Sequence, residues 1–190
     1  MKKLMVLLAA GLSRRFGEEN KLLYPLEGKP LYRHVLDKLV ELEDEETALL
    51  VMTNTAEIQS DCDARGIPWL DSPYAADGVS NTIRRAVEQA EKMQVQACIF
   101  FVADQPWLKG ETIRNFLAFC QRKEASLACV AAEDHPGNPV WFDKCWFSAL
   151  CGLKGDIGGR KILSQHAKQV LLFPAEQAEL TDIDCPPCEF

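Results

Sequence analysis

Short apolar runs alternating with segments of helical period constrain this chain more than any other feature. Leu4 to Ala9 reads as a central strand, broken by Gly11. Ala48 to Met52, Ala97 to Val102, Leu127 to Ala131 and Val170 to Phe173 read as further strands. Between them, Pro30 opens a segment with Leu31, Val35, Leu36 and Leu39 on one face, a helix that tolerates proline at its first position. Ser80 to Lys92, Glu111 to Gln121 (through Ile113, Phe116, Leu117 and Cys120) and Gly155 to His166 are the other expected helices. This is the βαβ rhythm of a parallel sheet, and it predicts a Rossmann-like, three-layer α/β sandwich with a mostly parallel sheet. Ligands of such folds sit outside the carboxyl ends of the strands, where the strand order reverses. The ends of the first strand and of the strand at 97–102 therefore matter most.

At 190 residues the chain suits one domain, 1–190. A net charge of −7 argues against a sequence-independent grip on nucleic acid, so any bound phosphate is held by a few placed groups. No apolar window is long enough for a membrane span. Lys2-Lys3 before Leu4 to Leu12 imitates a signal peptide, but two arginines and a glycine-spaced motif follow directly, and the expected location is cytoplasmic. The eight cysteines are scattered, mostly in apolar runs, and read as free thiols. Cys185-Pro186-Pro187-Cys188 has no second pair to complete a zinc site. His34, His135 and His166 have no triad partner by spacing, whereas Trp107 follows Asp104 closely enough to border a site there.

The loop after the first strand carries Gly11, Ser13, Arg15, Gly17 and Lys21. A glycine-broken loop at a strand's carboxyl end aims backbone N–H groups at an anion, and nearby Arg and Lys add full charges that chelate phosphate oxygens. The spacing is neither a Walker P-loop nor a dinucleotide fingerprint, so the loop reads as another kind of nucleoside-triphosphate site or as a basic strand-to-loop turn with no ligand. Asp104 ends the apolar strand in Val102-Ala103-Asp104-Gln105-Pro106, where a carboxylate is well placed to bind Mg²⁺ that bridges phosphates.

Leu8-Ala9-Ala10-Gly11-x-Ser13-x-Arg15-Phe16-Gly17, Asn20-Lys21-Leu22-Leu23 and Leu26-x-Gly28-Lys29-Pro30-Leu31 together resemble the signature of the MobA-like nucleotidyltransferases, most closely the molybdenum cofactor cytidylyltransferases. The resemblance implies a fold of the nucleotide-diphospho-sugar transferase type. It implies that Leu8, Ala9, Ala10 and Gly11 wrap the base and sugar, that Ser13 and Ser80 are further binding residues, and that Arg15 and Lys21 hold the triphosphate. Asp104 matches the family's Asp-Gln-Pro turn. Gly78-Val79-Ser80-Asn81-Thr82-Ile83, Gly137-Asn138-Pro139-Val140 and Gly155-Asp156-Ile157-Gly158-Gly159-Arg160 match later family segments that face a phosphorylated pterin. Taken alone, these are a helix start, a turn into a strand and a glycine-rich helix entry.

Asp182-Ile183-Asp184 resembles the family's C-terminal Asp-Ile-Asp and makes Asp184 the candidate second metal ligand, although Cys185 and Pro187-Cys188 depart from the family's Thr and Glu-Asp. The implied reaction is transfer of CMP from CTP to the terminal phosphate of molybdopterin. CTP is preferred because Ala10 stands where the guanine-using branch has a second glycine. The rival readings are a GTP-using or sugar- or alditol-phosphate nucleotidyltransferase, and a non-catalytic protein that delivers the cofactor to a molybdenum hydroxylase.

Overall fold

The computed structural model describes residues 1–10, 20–73, 78–133 and 135–184. Its strands are β1 (Lys3–Ala9), β2 (Pro25–Leu26), β3 (Lys29–Pro30), β4 (Thr47–Thr53), β5 (Trp69–Asp71), β6 (Ala97–Val102), β7 (Leu127–Ala132), β8 (His135–Asp143) and β9 (Leu171–Pro174). The helices are α1 (Arg33–Val40), α2 (Ala56–Arg65), α3 (Val79–Lys92), α4 (Gly110–Arg122), α5 (Phe147–Cys151) and α6 (Arg160–Gln165).

Seven strands form one sheet in the order β5-β4-β1-β6-β8-β7-β9. Every pairing is parallel except the two made by β8. The all-apolar strands follow from burial on both faces. In β1, Met5, Leu7 and Ala9 join one core with Val35, Leu36 and Leu39 of α1, Ile58 and Cys62 of α2, and Ile113, Phe116 and Leu117 of α4. The alternate residues Leu4 and Val6 join a second core with Ile83, Ala86 and Val87 of α3, Leu150 of α5 and Ile162 of α6. Period-two alternation thus feeds two helical layers, and the expected three-layer sandwich is the observed fold.

The chain runs outward from β1 through β4 to β5, and α3 then carries it back to β6 on the other side of β1. Leu8 and Val102 are opposite each other near the carboxyl ends of this central pair, so the switch point lies where the sequence placed it. The antiparallel course of β8 sets its first residues beside the end of β6, since Phe100 pairs with Val140. That reversal brings Gly137 and Asn138 to the carboxyl end of β6.

Two helix boundaries differ from expectation. Pro30 belongs to β3, paired with Pro25 across a turn at Glu27-Gly28, both with positive φ (48° and 86°), as a two-residue hairpin turn requires. Helix α1 begins only at Arg33. Residues 155 to 159 are not helical either. Gly155 is left-handed (φ 63°), and its carbonyl accepts the Ser80 N–H at 3.3 Å, which leaves α6 only Arg160–Gln165.

Candidate functional site

The short helical turn Lys21–Leu23 is set by Asn20, whose Oδ1 accepts the Leu22 N–H at 3.0 Å while its Nδ2 donates to Thr55 Oγ1 at 2.8 Å. This cap ties the residue before Lys21 to the loop after β4. The Lys21 ammonium then donates to Asp104 Oδ2 at 2.7 Å and to Asp184 Oδ1 at 3.1 Å. Three residues singled out separately in the sequence therefore meet at one nitrogen. Burial alone would lower the Lys21 pKa; hydrogen bonds and charge from Asp104 and then Asp184 outweigh it and hold the ammonium above its ordinary value.

A short strap holds Asp184 in place. Ile183 is buried against Leu31, with Tyr24 and Leu26 packed around them, and its N–H donates to the Asp104 carbonyl at 3.0 Å. Gln105 Nε2 donates to Asp182 Oδ1 at 2.8 Å and to the Leu180 carbonyl at 3.1 Å. Departures from the family pattern start at Cys185, which lies outside the described residues, and they leave Asp184 beside Asp104. The roles of Gln105 and Asp182 were missed in the sequence, although both stand inside the motifs quoted for Asp104 and Asp184.

The Asp182 pKa is raised, first by partial burial and then by the nearby negative charge of Asp104. A carboxyl whose folded pKa is raised stabilises the fold only below its unfolded value, and that contribution is lost as the pH climbs through the folded value. At neutral pH the Asp182 charge is therefore unfavourable. Asp182→Asn keeps an oxygen for Gln105, and its melting temperature is expected to exceed that of the native chain at pH 7. The difference should shrink towards zero below about pH 4, near the unfolded pKa of an aspartate. Thermal scans across that range check this, and equal melting temperatures at pH 7 would contradict it.

Beside this cluster lies a cleft of about 200 Å³, lined by Leu8 and Val102 at the strand ends and by Val79 and Ile83 on the first turns of α3. Gly137 and Asn138 at the start of β8 and Gly158 to Arg160 at the start of α6 complete its wall. The three later motifs, far apart in sequence, thus open on one space. Close packing joins them: a Cβ on Gly78 would stand 2.1 Å from the Gly155 carbonyl carbon, and one on Gly159 would meet the Phe142 ring at 2.8 Å.

Of the remaining candidates, Ala9 is fully buried and Ala10 half-buried at the end of β1. Ser80 is buried at the start of α3, and its Oγ has no hydrogen-bond partner among the described residues. Gly11, Ser13 and Arg15 lie outside the described residues. Trp107 is exposed. His34 Nε2 lies 2.9 Å from the Leu26 carbonyl oxygen and His166 packs edge-on against Trp146, both structural roles. Cys62, Cys98, Cys120 and Cys129 are buried free thiols, and burial pushes the Cys62 and Cys129 thiols up to about 11, so none is a ready nucleophile. No helix among the described residues is long and apolar enough to cross a membrane.

Among the described residues no trio of His, Cys, Asp or Glu is grouped to hold a metal. Asp104 and Asp184 instead form a pair of hard oxygen donors already converging on one cation, the Lys21 ammonium. Such a pair fits Mg²⁺, which keeps several water or phosphate ligands and takes only one or two carboxylates from the protein.

Lys21, Asp104 and Asp184 thus meet beyond the carboxyl ends of the central strands β1 and β6. The chain belongs to the family described as the MobA-like NTP transferase domain, whose model matches residues 5–170. It is 27% identical to the purine catabolism protein PucB of Bacillus subtilis, over 95% of this chain and 91% of that protein. It is also 27% identical to the molybdenum cofactor guanylyltransferase of Shewanella piezotolerans, over 71% of this chain and 62% of the relative. The crystal structure of Rv0371c from Mycobacterium tuberculosis superposes with a TM-score of 0.80 at 21% identity, covering 97% of this chain and 93% of that one. Its complex with manganese superposes at 0.75 and 19% identity, covering 93% and 89%. These two likenesses establish the shared fold.

Proposed function

We propose that this nucleotidyltransferase transfers CMP from CTP to the terminal phosphate of molybdopterin and releases pyrophosphate. The observation that carries the reading is the meeting of Lys21, Asp104 and Asp184 at the carboxyl ends of β1 and β6. A phosphate oxygen of the acceptor forms a new bond to the α-phosphorus of CTP, and the bond from that phosphorus to the β-phosphate oxygen breaks. Phosphate oxygens are nucleophilic at neutral pH, so the chain needs no general base, only positioning and charge neutralisation.

Leu8, Ala9, Ala10, Gly11 and Ser13 belong to the nucleotide side of the site, Ser80 is a further binding residue at the start of α3, and Arg15 and Lys21 hold the triphosphate. Asp104 and Asp184 would hold Mg²⁺, which when bound supplies positive charge against the developing charge on the phosphates. The manganese complex of Rv0371c supports a divalent cation in a protein of this fold. The cleft lined by Val79, Gly137, Asn138 and Arg160 is the acceptor side, its apolar wall suited to a flat heterocycle and Arg160 to a phosphate.

Base choice rests on Ala10. The guanylyltransferase names of two relatives support GTP, whereas the methyl of Ala10, in place of a second glycine, supports a pyrimidine. One extra carbon against a base is worth about 10-fold or more in discrimination. Pyrophosphate release in the presence of molybdopterin is therefore expected to be at least about tenfold faster with CTP than with GTP. Faster release with GTP would overturn the base assignment alone. Release with a sugar or alditol phosphate in place of molybdopterin would overturn the acceptor. The altered C-terminal sequence favours one other reading, delivery of the cofactor to a molybdenum hydroxylase without catalysis, for which binding of the cofactor without turnover under Mg²⁺ is the signature.

A further inference from the structure

The contact that identifies the site also sets a condition on how it fills. Lys21 Nζ is bonded to both candidate metal-binding carboxylates, at 2.7 Å and 3.1 Å, and is therefore near the place a divalent cation bridging them would take. Two cations at such a distance repel strongly in a partly buried site. The side chains of Lys21 and Asp104 are only 17% and 22% exposed, so water screens the repulsion poorly on that side, whereas the Asp184 side chain, 57% exposed, faces solvent.

We infer that Lys21 is an exchangeable counter-ion of Asp104 and Asp184, and that the site therefore takes the divalent cation together with the triphosphate rather than as a free ion. The inference rests on the proposed role of the two aspartates. When the cation arrives alone, Lys21 surrenders its bonds to Asp104 and Asp184 without phosphate oxygens to replace them. When a triphosphate arrives with it, the ammonium exchanges carboxylate oxygens for phosphate oxygens and the carboxylates exchange the ammonium for the metal. Every charge stays paired. Lys21 then does more than grip phosphate: it offsets part of the charge of the two aspartates until the metal and the triphosphate arrive.

The shape of the cluster supports an exchange of this kind. Asp104 and Asp184 are held by the backbone bond from Ile183 to Asp104 and by the Gln105 clamp on the same strap, none of which involves Lys21. The lysine can swing away without dismantling the carboxylate pair. Asp182 adds further negative charge nearby, so the cluster keeps its demand for a cation once the ammonium has left.

Mn²⁺ alone, titrated into the nucleotide-free protein and followed by the electron paramagnetic resonance of the free ion, tests the inference. Lys21→Met keeps the length of the side chain and removes its charge. The variant is expected to bind Mn²⁺ at least about tenfold more tightly than the native chain, and to gain more in melting temperature from Mn²⁺ than the native chain does. Lys21→Gln, a polar neutral replacement, should behave the same way if Lys21→Met folds poorly. Adding Asp104→Asn to either variant should abolish the gain. Unchanged Mn²⁺ affinity in both lysine variants, with binding still lost on Asp104→Asn, would overturn the exchange and leave the metal site standing. Binding that is indifferent to Asp104→Asn in every background would overturn the metal site itself.

Discussion

Replacing Asp104 with alanine is expected to slow nucleotidyl transfer by about a thousandfold, the scale of loss when a preorganised electrostatic group is removed from a transition state. Asp104 sits just past the end of β6, and its carboxylate faces Lys21 and the site rather than the core. Stability should change far less than the rate, because Asp184 still pairs with the Lys21 ammonium when Asp104 is gone. Asp104→Asn should be nearly as slow, because an amide keeps the size but neither neutralises Lys21 nor offers a charged ligand to a metal. Steady-state pyrophosphate release, measured beside thermal unfolding, separates the two effects. A variant that keeps its rate would remove Asp104 from the chemistry.

Gly78→Ala should act in the opposite way, through the fold first. Gly78 has φ 112° and ψ 157°, a conformation essentially confined to glycine and costing about 1–3 kcal/mol for another residue. A Cβ there would also overlap the Gly155 carbonyl carbon and oxygen at 2.1 and 2.2 Å and the Asp156 nitrogen at 2.4 Å, all backbone atoms that cannot rotate away. The start of α3 would be driven from the 155–159 loop, breaking the bond from Ser80 N–H to the Gly155 carbonyl and opening one wall of the cleft. A loss of about 3 kcal/mol or more lowers the melting temperature of a chain this size by about 6–12 °C. Gly155→Ala is the control. Gly155 is left-handed too, but a Cβ on it would meet nothing within 4 Å, so only the backbone cost of about 1 kcal/mol remains. Similar losses in the two variants would mean that the close approach of these loops is not what stabilises the cleft.

The central strands were legible because burial on both faces leaves a plain mark, a run such as Ala97 to Val102 with no polar residue. Asp104 was legible for the same reason, as the first charge after that run. Helix α2 was not: only Ile58 and Cys62 are buried in its ten residues, too few to write a helical period. Its C-terminal stop, left-handed Gly66 after Arg65, was the signal available. Strand β8 was read only as a turn into a strand, because Pro136, Gly137 and Pro139 mask its first residues, and nothing local announces that a strand will run antiparallel. Pro30 misled because proline suits the first turn of a helix and the edge of a hairpin equally well.

Within the site, Lys21 could be read from its loop, whereas its partnership with Asp184 spans 163 positions and leaves no periodic trace. Resemblance pointed to Asp184; the packing of Ile183 beneath the hairpin explains why it arrives there. The clamp from Gln105 to Asp182 was invisible because a glutamine after an aspartate at a turn is ordinary in composition. Its meaning comes only from the strand order, which sets the loop after β6 against the last described residues.

The most direct measurement of the central claim is a crystal structure of the chain with Mg²⁺ and a non-hydrolysable CTP analogue. One metal ion is expected about 2.1 Å from oxygens of both Asp104 and Asp184 and bonded to the triphosphate, with Lys21 moved from the carboxylates onto phosphate oxygens. A triphosphate bound elsewhere, or a metal that touches neither aspartate while Lys21 keeps both of its bonds, would contradict it.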